Sequence, residues 1–190
     1  MSETAITIWL TGLPCSGKST LANLLSQTLC KHGVGRLELF DGDVVRTHLS
    51  KGLGFSKQDR DTNVLRIGWV CQMLARHGVS SIVAAVSPYR ESRNEVRAMI
   101  EKVSGCGSFI EVWVKCSLDE CIRRDVKGMY AKALRGEILH FTGMSDPYEE
   151  PLDSEVVVET NTESLTESVN RILETVDRLK VKNKQQQCLG

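Results

Sequence analysis

Residues 12–19 read Gly-Leu-Pro-Cys-Ser-Gly-Lys-Ser, the spacing G-x-x-x-x-G-K-S of a phosphate loop. Each position has a physical task. Gly12 and Gly17 let the backbone curl until several amides point inward at phosphate oxygens. A helix opening directly behind the loop adds the positive end of its dipole. Lys18 supplies a mobile charge for the β- and γ-phosphates, and the Ser19 hydroxyl is a ligand for Mg²⁺. Leu13, Pro14, Cys15, Ser16 and Thr20 complete the stretch expected to hold ATP. The loop does not choose an acceptor, because GTPases, nucleoside kinases and transport ATPases share it. No N-K-x-D tetrapeptide supports a guanine-reading G protein.

Further residues have types suited to the acceptor. Asp41 and Asp43 follow a short apolar run. Two carboxylates there can hold Mg²⁺ through water and take a proton from a hydroxyl; a turn with solvated acids is the plainer and less favoured alternative. Arg60, Asn63 and Arg66, spaced i, i+3 and i+6, share approximately one side of a helix beside Phe55. Guanidinium groups grip phosphate or sulfate as forks, and aromatic rings stack on bases, so this face suits a planar anion. An exposed basic face is the plainer alternative. Ser87, in Ser87-Pro88-Tyr89-Arg90, falls near the phosphates or serves as a turn or helix cap. Arg124, Lys127 and Phe141 belong to a cation-rich stretch that reads as part of a lid.

The elements that must position these residues alternate along the chain. Apolar runs at Ala5–Leu10, Leu37–Phe40, Ser81–Val86, Phe109–Val114 and Val156–Val158 read as buried strands. Helical patterns at Ser19–Lys31, Asp59–His77, Glu91–Val103, Leu118–Asp125, Gly128–Leu134 and Thr162–Lys180 separate them. Such alternation predicts an α/β three-layer domain of the P-loop NTPase type, with a mostly five-stranded parallel sheet. One domain over residues 1–180 and a polar tail over 181–190 are expected. Gly136–Pro151 is long for a connection and reads as a functional loop or lid.

Composition excludes other classes. Lys plus Arg equals Asp plus Glu, 24 against 24, so no global field favours nucleic acid or a membrane surface. No apolar run reaches membrane-spanning length, and Met1-Ser2-Glu3-Thr4 lacks the character of a signal peptide; a cytoplasmic protein is expected. The seven cysteines form no Cys-x-x-Cys pair and read as reduced, mostly buried fillers. Cys15 stands apart, since loop amides can activate a thiol.

In order and spacing, Gly12–Thr20, Asp41–Arg46, Leu53–Ser56 with Asp59, Arg60 and Asn63, Ser87–Arg90, Arg124–Tyr130 and Gly136–Pro151 resemble the adenylyl-sulfate (APS) kinase family over about residues 5 to 160. The resemblance implies transfer of the γ-phosphate of ATP, with Mg²⁺, to the 3′-hydroxyl of adenosine 5′-phosphosulfate, and usually a homodimer. It implies Asp41 and Ser19 near the metal and Asp43 orienting the hydroxyl. Arg46, Arg60 and Asn63 then bind the phosphosulfate side, with Phe55 and Phe141 sandwiching the adenine. Val86 offers backbone contacts, Lys127 helps hold the substrate, and Arg124 and the Thr160-Asn161 turn flank the adenine of ATP. Ser87 matches a serine described as a phosphoserine intermediate in bacterial members; direct in-line transfer is equally compatible. Departures are Val86 for isoleucine, Cys15 for a small residue, and Leu134 for an arginine, whose charge Lys132 or Arg135 is expected to replace. Other small-molecule kinases and a non-catalytic nucleotide-binding module are the rival readings.

Overall fold

The computed structural model describes residues 5–187, with side chains to residue 179. Five strands, β1 (Thr7–Thr11), β2 (Leu37–Asp41), β3 (Ser80–Ala84), β4 (Phe109–Lys115) and β5 (Val156–Glu159), form one sheet in the order β2-β3-β1-β4-β5. Every neighbouring pair is parallel. Parallel pairing demands crossovers, and helices supply them: α1 (Lys18–Lys31), α2 (Gly42–Thr47), α3 (Lys57–Arg76), α4 (Arg90–Ser104), α5 (Leu118–Arg124), α6 (Met129–Leu134) and α7 (Leu165–Gln187).

Period-two alternation along β1 divides the core. Ile8 and Leu10 face Leu21 and Leu25 of α1 and Ile172 and Val176 of α7. Trp9 faces the other way, with Val64 and Ile67 of α3 and Val96 and Ile100 of α4. Burial on both sheet faces explains why the strands read as unbroken apolar runs. The sheet order reverses at β1, and ligands collect outside the carboxyl ends of strands at such a switch point. Register concentrates the chemistry there. Leu10 and Asp41 both pair with Ala84, so the phosphate loop, Asp41 and the Ala85–Ser87 turn leave the sheet at one level.

The packing of α3 on α4 depends on Gly68, where an added Cβ would lie 2.4 Å from a Val96 methyl. Gly68→Ala is expected to destabilise the fold by about 1–3 kcal/mol through overpacking, measured by urea unfolding. An unchanged midpoint would show that α4 yields without cost.

Differences from the expected elements have local causes. The short helix α2 was not expected; six residues are too few to show a helical period. Its start is fixed by Asp41, whose carboxylate accepts the Asp43 N–H at 2.9 Å. At the other end of the chain, α7 runs to Gln187, into the stretch expected to be a tail. Residues 180–187 contain Lys, Val, Asn and Gln but no Gly or Pro, so nothing there stops a helix. Residues 1–4, expected to carry no leader, and 188–190 lie outside the described residues. Cys71, Cys116 and Cys121 are buried as expected, whereas Cys30 and Cys106 are exposed.

Candidate active site

The phosphate loop joins β1 to α1. Its carbonyls close on Lys18, whose Nζ donates to Gly12 O at 2.9 Å and Leu13 O at 2.6 Å, and to Ser16 Oγ at 3.3 Å. Burial pushes this ammonium down from 10.5 to about 8. Gly12 needs its type twice over: φ is +153°, and a Cβ would stand 2.5 Å from Val114 O. Cys15 adopts φ +60° and packs with Cys116, Cys121 and Tyr130, a filler's role. Tyr130 also donates its hydroxyl to Pro14 O at 3.1 Å. Arg124 Nη2 donates to Thr160 O at 2.7 Å and Nη1 to Cys15 O at 3.4 Å, while the Thr160 hydroxyl donates to Ser16 O at 2.7 Å. Thus Arg124 and Thr160 brace the loop. Glu120 orients Arg124 and Arg123; their hydrogen bonds, that of Arg123 first, hold its carboxyl down at about 2.

In front of the loop opens a cleft of about 490 Å³. Pro14, Cys15, Gly17, Lys18, Ser19 and Thr20 line one side. Asp41, Asp43 and Arg46 come from the end of β2 and from α2, Phe55 from the turn before α3, and Arg60 and Asn63 from the first two turns of α3. Val86 and Ser87 form the floor, with Lys127 and Phe141 on the far wall. Lys127 Nζ pairs with the Asp43 carboxylate across the mouth. Leu13 and Asn161 instead line a second hollow of about 360 Å³ beside the end of β4.

Arg46 and Arg60 flank the Phe55 ring, their guanidinium carbons 4.9 and 5.4 Å from its centroid. Burial, then the neighbouring Arg46 charge, pushes Arg60 down to about 10. Burial likewise lowers Arg46. Two desolvated cations held together are a standing attraction for an anion, because a bound anion relieves both penalties. Asn63 is buried beside them, and its Oδ1 has no hydrogen-bond partner among the described residues. An orphaned buried acceptor facing a cleft suits a donor on a ligand. Phe141 is 2% exposed and packs edge-on against Tyr130 at 4.9 Å, so it forms a fixed wall.

Arg66, expected on this face, is exposed on the other side of α3 and donates to Leu49 O at 3.2 Å. Six residues turn a helix by about 600°, which leaves the sixth roughly 120° from the first. Lys132 is exposed, and Arg135 pairs with Glu137 at 2.5 Å, so neither cation lines the cleft. Ser87 is buried at φ +39°, with its Oγ accepting from Trp9 Nε1 at 3.0 Å and donating to Ala85 O at 3.2 Å. The stretch Gly136–Pro151, expected to be a loop or lid, contains one isolated bridge, Thr142–Asp146. It is tied down through Glu149 N to Pro88 O at 2.8 Å. Arg93, Glu111, Thr11 and Tyr148, which position this floor, were not expected. A glutamate inside the apolar run of β4 was the one available signal, since a buried carboxylate requires a partner.

A parallel sheet with this phosphate loop on its central strand, and a carboxylate- and arginine-lined acceptor cleft in front, defines a P-loop kinase. A family model described as Adenylylsulphate kinase matches residues 4–159. An adenylyl-sulfate kinase of Gloeothece citriformis is 54% identical over 94% of this chain and 98% of its own length. One from Chloroflexus aurantiacus is 51% identical over 95% and 93%. The solved Mycobacterium tuberculosis APS kinase, in complex with AMPPNP and APS, superposes with a TM-score of 0.85 at 37% identity, covering 92% of this chain and 98% of that one. The chain belongs to the adenylylsulphate kinase family. Membership of this family favours an adenylyl-sulfate kinase over the rival readings.

Proposed function

We propose that this chain transfers the γ-phosphate of ATP directly to the 3′-hydroxyl of adenosine 5′-phosphosulfate, without a covalent enzyme intermediate. The carrying observation is the single cleft that has Lys18 on one wall, Arg46, Arg60 and Asn63 on the other, and Asp43 between them. In this reading the loop residues hold the ATP phosphates, while Arg124 and the Thr160-Asn161 turn flank its adenine. The arginine pair and the amide N–H of Asn63 take the phosphosulfate, leaving Asn63 Oδ1 for a donor elsewhere on the acceptor, and Phe55 and Phe141 bound the acceptor's base. Val86 supplies backbone contact, and Lys127 closes over the acceptor from its pairing with Asp43. Asp43 accepts the hydroxyl proton as the 3′-oxygen bonds to the γ-phosphorus and the bond from that phosphorus to the bridging oxygen breaks, releasing ADP.

The Ser19 hydroxyl and Asp41 carboxylate, both on the cleft, are hard oxygen donors of the kind Mg²⁺ takes while keeping several waters. Ser19 and Asp41 would hold the ion beside the phosphate loop, where it would supply positive charge against the phosphates.

Direct transfer is supported by the state of Ser87. Its hydroxyl proton is engaged with Ala85 O and its lone pair with Trp9, which suits a structural hydroxyl. The test is ADP release with Mg·ATP, with and without adenosine 5′-phosphosulfate, in wild type and Ser87→Ala. Release should require the phosphosulfate and persist in Ser87→Ala within about fivefold. The variant should lose about 1–3 kcal/mol of stability as Trp9 Nε1 loses its acceptor. Loss of turnover in a fully folded Ser87→Ala, together with phosphate recovered on Ser87 of wild type incubated with Mg·ATP, would overturn direct transfer.

For assembly and compartment, our reading is a cytoplasmic homodimer. Among the described residues no helix is long and apolar enough to cross a membrane. Free thiols suit a reducing compartment. Trp69 stands 58% exposed on α3, an apolar side chain that a second copy can cover.

A further inference from the structure

Arg93 is 2% exposed on α4, outside the lining of the cleft. All three of its nitrogens are committed. Nε donates to Glu111 Oε1 at 2.6 Å, Nη1 to Ser87 O at 2.8 Å and Nη2 to Glu149 O at 2.8 Å. The guanidinium carbon also lies 5.9 Å from the centre of the Tyr148 ring. Glu111 is itself fixed: its N–H donates to Glu155 Oε2 at 2.6 Å, and Glu155 takes both Nη atoms of Arg97 at 2.7 and 2.9 Å. Thr11, from the end of β1, donates to Val86 O at 2.9 Å and meets the Tyr148 hydroxyl at 3.0 Å.

These contacts join two pieces of chain that are distant in sequence. One is the floor turn Val86–Pro88, which holds Ser87 at φ +39°. The other is the return segment from Phe141 to Glu149. A planar fork reads two carbonyls in fixed directions, which a lysine cannot do. We infer that Arg93 is a positioning residue for phosphoryl transfer, setting the floor of the acceptor site and the Phe141 wall at one separation. It acts on the acceptor and not on ATP, because Arg124, Thr160 and Tyr130 brace the phosphate loop independently. The inference rests on the family reading of the acceptor.

The test separates acceptor from nucleotide. Arg93→Lys keeps a charge opposite Glu111 but loses the fork. Because it risks misfolding, the double variant Arg93→Met/Glu111→Leu accompanies it; replacing both members of a buried pair by apolar groups is commonly tolerated. Either folded variant should lose roughly 10- to 100-fold in kcat/KM for adenosine 5′-phosphosulfate, the scale of a small misplacement of a reacting group. Binding of AMPPNP should stay within about threefold of wild type. Glu111→Gln, which keeps Arg93 and an acceptor for its Nε, should retain most of the wild-type kcat/KM for the phosphosulfate. The inference is overturned if both folded variants keep wild-type kcat/KM for the phosphosulfate, or if AMPPNP affinity falls in parallel with it. A wild type that turns over no phosphosulfate would instead remove the family reading beneath it.

Discussion

Asp43→Ala is expected to lower kcat by roughly 10²- to 10⁴-fold, the range for loss of a general base, while leaving AMPPNP affinity nearly unchanged. Asp43 occupies the first turn of α2, at the edge of the cleft between the Lys18 and Arg60 walls. No phosphate-loop group bonds to it; its backbone N–H goes to Asp41, and its carboxylate to Lys127. Removing the carboxylate therefore spares the ATP side of the cleft. It leaves α2 capped, because the cap is the Asp41 side chain. Asp43→Asn should lose almost as much, since an amide keeps the shape but cannot take the proton. Steady-state kinetics in adenosine 5′-phosphosulfate, with AMPPNP titration alongside, makes the separation. A kcat within fivefold of wild type in both variants would remove Asp43 from the chemistry.

The two sides of this cleft were unequally legible in the sequence. The phosphate loop was readable in full, because its residue types encode a backbone path: Gly12 and Gly17 sit at positive φ, and Gly12 has no room for a side chain. The strands were also plain, since burial on both faces removes polar residues from them. Element ends were less so; β2 continues to Asp41 because its last ladder pair, with Ala84, carries a polar residue at the sheet edge. On α3, Arg60 and Asn63 were recoverable from one turn of spacing, whereas Arg66 was carried too far round the helix. The supports behind the floor were hidden. Arg93 and Glu149 are 56 residues apart, and Thr11 and Tyr148 are 137 apart. No local period reports such pairs. The family resemblance pointed to Phe55 and Phe141, which both line the cleft, but the packing of Phe141 against Tyr130 belongs to the tertiary fold of its own segment.

Lys18→Met should lower kcat/KM for ATP by roughly 10²- to 10³-fold, the scale for one preorganised group on a developing charge, and should also reshape the pH dependence of stability. The folded ammonium titrates at about 8, against 10.5 ordinarily, because burial strips its water. Below about 8 both folded and unfolded chains hold this proton, so the burial penalty is present in full, about 3 kcal/mol at 1.36 kcal/mol per unit. Between about 8 and 10.5 the unfolded chain holds more protons than the folded one, and stability rises with pH. Above 10.5 both are neutral there and the gain is complete. Methionine has no proton to release, so the wild-type minus variant stability difference should climb through this window. Urea unfolding at pH 7.5 and 10 measures it, and parallel curves for the two proteins would show that Lys18 is not desolvated. Bound triphosphate acts in the opposite direction. Its negative charge favours the ammonium, so ATP binding takes up a proton at pH values above about 8. Wild-type AMPPNP affinity should consequently fall as pH rises past that point, while the already weakened affinity of Lys18→Met stays flat. The loop thus trades folding stability at neutral pH for a cation whose charge is best satisfied when phosphate occupies the cleft.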